Sequence, residues 1–177
     1  MKKFRWWMSP VVAALLLLTL VACSQQDLFV LSRQGVDHVL PYRDEIYFSL
    51  DYIHSVQKKP IRENFLARAG DEEIIFVSLE FAGFGAGMPG GIEGELSRTE
   101  RGYILDVDDV SLPVYKFLVS SAEDKKITIA EEEIELENIM DQGGKLSIEN
   151  RRHSLIEYIL KLWSGAYRRL EIAAEND

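Results

Sequence analysis

The fold is decided by the stretch Glu45-Ile46-Tyr47-Phe48-Ser49-Leu50-Asp51-Tyr52-Ile53-His54-Ser55-Val56, which alternates residue by residue. One face of an extended chain would carry the even-numbered residues Ile46, Phe48, Leu50, Tyr52, His54 and Val56. The other face would carry mostly polar side chains. This period of two is typical of a β-strand with one face in a core and one in solvent.

The same kind of pattern continues on both sides of this stretch. Residues 57–60 form a turn signal, residues 61–69 return as a strand, and residues 73–81 are the best candidate for a central strand. Further strands are expected at Leu28–Leu31, Gly102–Val107, Val114–Ser120, Lys126–Ala130, Ile134–Leu136 and Lys145–Glu149. The sequence therefore predicts a mainly β protein, an antiparallel β-sandwich or small barrel.

The C-terminal segment has a different, helical periodicity. Ser154 and Glu157 have the spacing of a capping box, and a helix is expected from Leu155 to Leu170, with Gly165 as a weak point. Its apolar positions are Leu155, Ile159, Leu160, Trp163, Tyr167 and Leu170. This amphipathic helix would either cover the sheet or dock on a partner or the membrane plane.

The N-terminus has the three parts of a secretory signal. A basic start is followed by an apolar run, Val11–Leu20, and by Leu20-Val21-Ala22-Cys23, which is a lipobox. We expect a lipoprotein signal peptide at 1–22, cleavage before Cys23 and attachment of lipid, including palmitate, to that cysteine. A β domain at 23–153 and a helix with a tail at 154–177 would follow. The alternative is an uncleaved anchor.

Charge and cysteine content limit the partners. The formal net charge is −9, and removing the leader with Lys2, Lys3 and Arg5 takes it to −12. Such a surface repels nucleic acid phosphates and anionic lipid headgroups, so the lipid, rather than charge, would carry the contact with the membrane. A single cysteine excludes an internal disulfide. The expected location is the extracytoplasmic side of the cell envelope, and Ser24 after the cysteine favours the outer membrane where there are two.

One polar pair could carry chemistry. If Lys58 and Lys59 form a two-residue hairpin loop, His54 lies directly opposite Glu63, on the apolar face. The pair could work as an acid and a base, hold a ligand, or form a polar tie within the sheet. Ser55 would point to the other face, which disfavours a Ser–His catalytic pair. No catalytic residue is assigned.

A glycine-rich segment is the second feature. Phe84-Gly85-Ala86-Gly87-Met88-Pro89 is not followed by a helix pattern, so it does not indicate phosphate binding. It could be a ligand lid, a partner contact or a sheet crossover. No metal site or cofactor is expected, because the histidines are isolated and Asp106–Asp109 lacks the glycine and glutamate of a calcium loop. The candidate ligand or partner site comprises Tyr52, His54, Ser55, Glu63, Phe84, Gly85, Gly87 and Met88.

These elements together resemble a known bacterial family. Tyr52-x-His54-Ser55-Val56, Glu63-x-Phe65 and Phe84-Gly85-Ala86-Gly87-Met88-Pro89 are similar to a domain of unknown function often encoded beside TRAP transporters of the TAXI type. The resemblance covers roughly residues 45–163. It implies an accessory role in solute uptake, with His54, Ser55, Glu63 and the glycine loop as marked positions, and brings no activity or substrate.

Three hypotheses follow from the sequence. The first is a lipid-anchored accessory protein that binds a solute or a subunit of a TRAP-type transporter, such as its solute-binding protein. The second is an envelope hydrolase that uses His54 and Glu63. The third is a lipoprotein that supports assembly of an envelope complex through its terminal helix.

Overall fold

The computed structural model describes residues 25–33, 36–84, 93–118, 125–136 and 144–170, and the single positions 10, 12, 14 and 19. Cys23, Gly85, Gly87 and Met88 lie outside these residues. Within the described ranges the chain forms twelve strands and a helix, which we call α1. The strands are β1 (Gln25–Arg33), β2 (Val36–Tyr42), β3 (Glu45–Ile53), β4 (Pro60–Arg68), β5 (Ile74–Phe81), β6 (Gly94–Thr99), β7 (Gly102–Leu112), β8 (Tyr115–Leu118), β9 (Lys126–Ile129), β10 (Glu132–Glu135), β11 (Lys145–Ser154) and β12 (Tyr167–Arg169), and α1 spans Leu155–Trp163.

The larger sheet is antiparallel, with the strand order β10-β9-β3-β4-β5-β7-β6. The quoted stretch forms β3, and the segment expected as a central strand forms β5, which has neighbours on both sides. Ile46, Phe48 and Leu50 are buried, whereas Tyr47 on the other face is exposed. The alternation therefore works as the sequence predicts: the even-numbered face of β3 enters the core.

The smaller sheet has the order β12-β2-β1-β11-β8, and only its β12–β2 pair is parallel. In β1 the four residues Leu28–Leu31 are all fully buried. Phe29 and Leu31 face the larger sheet, while Leu28 and Val30 lie under α1. A strand covered on both faces reads as a continuous apolar run rather than an alternating one.

The two sheets pack face to face, so the fold is a β-sandwich, as the sequence predicts. A row of phenylalanine rings crosses the core. Phe29 of the smaller sheet meets Phe48 edge-on at 4.9 Å between ring centroids, Phe48 stacks on Phe65 at 5.0 Å, and Phe65 stacks on Phe76 at 5.1 Å. Aromatic pairs at these distances add to the stabilisation from buried area.

Polar contacts join the sheets at one end of the sandwich. Asn150 of β11 is buried and donates its side-chain amide to the carbonyl oxygens of Arg68 and Asp71, which flank the β4–β5 turn. Asp27 of β1 accepts a hydrogen bond from the backbone N–H of Gly70 in the same turn. Strand β1 begins at this end. The opposite end contains the connection between β3 and β4, and we call it the turn end.

The helix is shorter than the sequence suggests. Ser154 caps α1, with its hydroxyl accepting from the backbone N–H of Glu157 at 3.2 Å, as expected. The predicted end at Leu170 is wrong, because Gly165 takes a left-handed φ of 76° and ends the helix. The chain then forms β12, which extends the smaller sheet. Strands β2 and β6 were also not predicted; β6 is exposed along its whole length and has no apolar alternation to reveal it.

Candidate functional site

The predicted His54–Glu63 pair does not form. In the β3–β4 ladder Glu63 lies opposite Leu50, and Tyr52 lies opposite Ile61 rather than Phe65. The connection spans residues 54–59 instead of two residues. At about 3.3 Å per strand residue, His54 is roughly 13 Å further along β3 than the position opposite Glu63.

His54 organises the longer turn. Its backbone N–H donates to the carbonyl of Lys59, and its own carbonyl accepts from Lys58. Its ring Nδ1 accepts from the backbone N–H groups of Val56 and Gln57, each at 3.2 Å. Lys58 takes a left-handed φ of 53°. The two-residue loop was the wrong choice because these hydrogen bonds from a side chain to the backbone stabilise a wider turn.

Glu63 is instead held by two tyrosines. Tyr52, on β3, donates its hydroxyl to Oε1 at 2.9 Å, and Tyr115 donates to Oε2. Tyr115 belongs to β8 of the smaller sheet, and its ring lies 4.7 Å from that of Phe65. The carboxylate thus lies on the inner face of the larger sheet and bonds to both sheets, which is the pairing that a charge in such a position needs.

The two tyrosines remain protonated donors over the ordinary pH range. Burial raises the pKa of the Tyr52 and Tyr115 hydroxyls well above the usual tyrosine value, and the negative charge of Glu63 raises both further. We call Tyr52, Glu63 and Tyr115 the Glu63 cluster. Because both oxygens of its carboxylate are bonded, the cluster is a structural contact between the two sheets.

The turn end brings the β3–β4 turn close to Phe84, the described residue of the second motif. A Cβ placed on Gly83 would lie 2.9 Å from Nζ of Lys59, so the start of the glycine-rich segment lies against the β3–β4 turn. Phe84 is 60% exposed and packs on Phe81 at 5.4 Å and on Tyr103 at 4.7 Å between ring centroids. The turn of residues 54–59 therefore lies next to Gly83, the residue before Phe84.

A cleft of about 240 Å³ opens at the same end and continues on the outer face of the larger sheet. In it, Arg62 bonds Asp51 through two nitrogens, Nε to Oδ1 at 2.6 Å and Nη2 to Oδ2 at 3.1 Å. This hydrogen bonding with Asp51 raises the pKa of Arg62. Glu80 and Arg101 also line the cleft. Such mixed charge suits a polar solute or a polar protein surface.

Sequence reasoning missed this charged cluster, although the signal was present. Asp51 and Arg62 are direct cross-strand partners in the observed register. Opposite charges at such positions are a recognised stabilising pair, and the correct loop length would have revealed them.

Two features are absent from the described residues. No group of three or more histidine, cysteine, aspartate or glutamate side chains there is arranged to hold a metal ion. Nor does the described part of the chain contain a helix of the length and apolar character needed to cross a bilayer.

Residues 48–136 match the family described as domain of unknown function DUF1850. The chain belongs to this family. The DUF1850 match runs from Phe48 in β3 to the end of β10, so it contains most of the larger sheet, β8, the Glu63 cluster and the turn end. Strands β1, β2, β11 and β12 and helix α1 lie outside it. No curated protein and no solved structure matches the chain.

Proposed function

We propose that this DUF1850 protein is a lipid-anchored accessory protein on the extracytoplasmic side of the membrane that binds a component of a TRAP-type uptake system at its turn end. The lipobox Leu20-Val21-Ala22-Cys23 supports the anchor and the location. The similarity of the turn-end motifs to the TRAP-associated family supports the link with transport.

One observation carries the binding role: the turn that contains His54 and Ser55 and the exposed Phe84 meet at one end of the larger sheet. An exposed Phe84 ring, the turn of residues 54–59 and the charged cleft at Arg62 are adjacent there. A large aromatic side chain beside a polar cleft is typical of the anchor residues of protein interfaces. Binding residues also tend to lie on connections held by a rigid scaffold, which the sandwich provides.

A hydrolase working through His54 and Glu63 is not proposed. The register separates the two residues, His54 uses its Nδ1 within the turn, and both oxygens of Glu63 are bonded to tyrosines. The acid–base couple on which that hypothesis depended is therefore missing.

The test is capture with purified transporter components. The chain is immobilised and incubated separately with the solute-binding protein and with the membrane subunit of a TAXI-type TRAP transporter from the same organism. The fraction of each component that the chain retains is measured. We expect binding to one of them, weakened at least about tenfold by Phe84→Ala. Tyr47→Ala is the matched control, because Tyr47 is a similarly exposed aromatic residue (57%) on the outer face of the sheet. Absence of binding to either component contradicts the proposal.

The anchor is tested separately. Labelled palmitate should be incorporated into the chain in cells and lost in Cys23→Ser, as detected by gel fluorography of the membrane fraction. A chain that reaches the envelope without label contradicts the lipid anchor.

A further inference from the structure

Helix α1 has two apolar sides, and only one of them is used by the fold. Tyr158 is buried, and Leu155 and Leu162 pack with it against Leu28 and Val30 on the outer face of the smaller sheet. A second set, Ile159, Leu160 and Trp163, is exposed at 51%, 57% and 88%. At spacings of one, three and four residues these three side chains share one side of the helix.

The exposed residues Ile159, Leu160 and Trp163 belong to the apolar stripe that the sequence predicted as a possible cover for the sheet. The sheet is already covered by Tyr158 and its neighbours, so the core does not account for the exposed set. An apolar helix side that the core does not use is typical of a surface for another molecule.

The charges around this side are basic, in contrast to the net charge of the whole chain. Glu157 is the single acid of α1, and its carboxylate is bound by Lys161 and His153, both at 3.0 Å. In β12, which contacts α1, the exposed Arg169 is on the same face of the strand as Tyr167, which packs in the cluster under α1. Apolar and aromatic residues flanked by basic side chains fit the headgroup region of an anionic bilayer.

The position of Cys23 identifies the occupant of this surface. Cys23 is two residues before Gln25, and two residues of chain reach at most about 7 Å. Gln25 pairs with Ser154, the residue that caps α1. The helix itself has 9 residues and is about 14 Å long at about 1.5 Å per residue. A lipid on Cys23 would therefore hold the exposed side of α1 close to the bilayer, and the turn end lies a strand length away.

We propose that Ile159, Leu160 and Trp163 insert into the headgroup region of the membrane that anchors Cys23, with Arg169 facing its phosphates. This inference rests on the proposed lipid anchor and adds a second, non-covalent contact to it. Two points of attachment fix the orientation of the sandwich. Because α1 covers the smaller sheet, the outer face of the larger sheet, with the charged cleft, faces away from the membrane.

The chain provides its own probe for this contact. Trp6 and Trp7 lie in the leader, so Trp163 is the single tryptophan of the chain from Cys23 onward, and Cys23 is its single cysteine. All strands and core residues described lie between Gln25 and Leu170. A protein that begins at Cys23 therefore keeps every element of the described fold. Its thiol can be coupled to a maleimide lipid in vesicles of phosphatidylcholine and phosphatidylglycerol, whether or not cells lipidate it.

The measurement is Trp163 emission with and without brominated lipids. We expect coupling to shift the emission maximum to shorter wavelength and bromine to quench it. Replacing Ile159 and Leu160 together by serine should reduce the quenching severalfold. The matched control is Val56→Ser, which removes another exposed apolar side chain (72%) at the turn end and should leave the quenching unchanged.

Two results would overturn the inference. An emission maximum unchanged by coupling would mean that Trp163 stays in water. A shift to shorter wavelength without quenching by bromine would mean that protein, such as a second copy of the chain, covers the helix. Failure of palmitate labelling in cells would instead contradict the anchor in the proposed function, and the coupled vesicles still report on the helix contact.

Discussion

Removing the Tyr115 hydroxyl should remove the hydrogen bond that joins the Glu63 carboxylate of the larger sheet to the smaller sheet. In Tyr115→Phe the ring remains against Phe65, so the packing is retained and one hydrogen bond is lost. Glu63 then keeps Tyr52 as the donor to Oε1, while Oε2 loses its partner. The variant therefore isolates a single bond to a charged group at the centre of the sandwich.

The expected loss is about 1.5–3 kcal/mol of unfolding free energy, the range for hydrogen bonds to charged groups. Tyr52→Phe should cost less, because Tyr52 is the less buried of the two tyrosines. Urea unfolding followed by circular dichroism gives both values. Tyr47→Phe serves as the control, since its exposed hydroxyl should contribute within about 0.5 kcal/mol of zero.

A double-mutant cycle makes the test specific. Glu63→Leu replaces the carboxylate with an apolar side chain between Leu50 and Leu79, its neighbours on the adjacent strands. Combined with Tyr115→Phe, it should cost less than the sum of the single changes by at least about 1 kcal/mol. A coupling energy below about 0.5 kcal/mol, with Tyr115→Phe near neutral, would refute the bond between the sheets.

Three other predictions follow from buried tyrosines and a glycine. Because burial raises the pKa of Tyr52 and Tyr115 in the folded state, the stability they confer is complete below pH 10 and is lost above it. Between pH 8 and 11.5 the unfolding free energy should therefore fall less steeply with pH in Tyr115→Phe than in the unchanged protein. The two slopes should differ by up to about 1.4 kcal/mol per pH unit, and equal slopes would contradict the raised pKa. Tyr158 has a buried hydroxyl without a hydrogen-bond partner among the described residues, so Tyr158→Phe should keep or raise the urea midpoint. A loss of more than about 1 kcal/mol of unfolding free energy would indicate that the hydroxyl has a partner. Gly102→Ala should cost about 2 kcal/mol or more of unfolding free energy, because the added Cβ would lie 2.2 Å from a backbone oxygen of β5. Gly70→Ala is the control: this glycine also has a positive φ, but it has open space around it and should cost clearly less. Equal losses would mean that φ alone matters.

The register of β3 against β4 shows how far the sequence could lead. Both the predicted and the observed register place the even-numbered residues of β3 on the inner face, because they differ by four residues, an even number, along the strand. The alternation therefore predicted the buried face correctly. The alternation alone could not choose between the two registers. The cross-strand pairs distinguish them, because the observed register places Asp51 opposite Arg62, Glu45 opposite Arg68 and Phe48 opposite Phe65.

Other features had no signal in the sequence. The bond from Tyr115 to Glu63 joins residues 52 positions apart on different sheets, and nothing local to either residue indicates the other. Strand β12 has three residues and depends on Gly165 for its direction and on β2 for its pairing. Such elements exist because the larger sheets are already in place, so tertiary contacts override weak local preference.

The apolar residues of α1 illustrate a different limit. Leu155, Tyr158 and Leu162 face the sheet, while Ile159, Leu160 and Trp163 face outward, and both sets have helical spacing. A sequence that is apolar on two sides of a helix predicts two contacts and does not say which one belongs to the fold. The fold here uses two leucines and one tyrosine, and leaves the tryptophan outside.

The family match divides the chain in the same way as the two proposed contacts. The turn end and the Glu63 cluster lie within residues 48–136, whereas Cys23, β1 and α1 lie outside them. If binding at the turn end is the role of the DUF1850 span and membrane attachment that of its flanks, the two should separate experimentally. Phe84→Ala should abolish capture of the transporter component and leave the quenching of Trp163 intact, and the paired serine changes in α1 should do the reverse. A variant that loses both while remaining folded would show that the two surfaces act together.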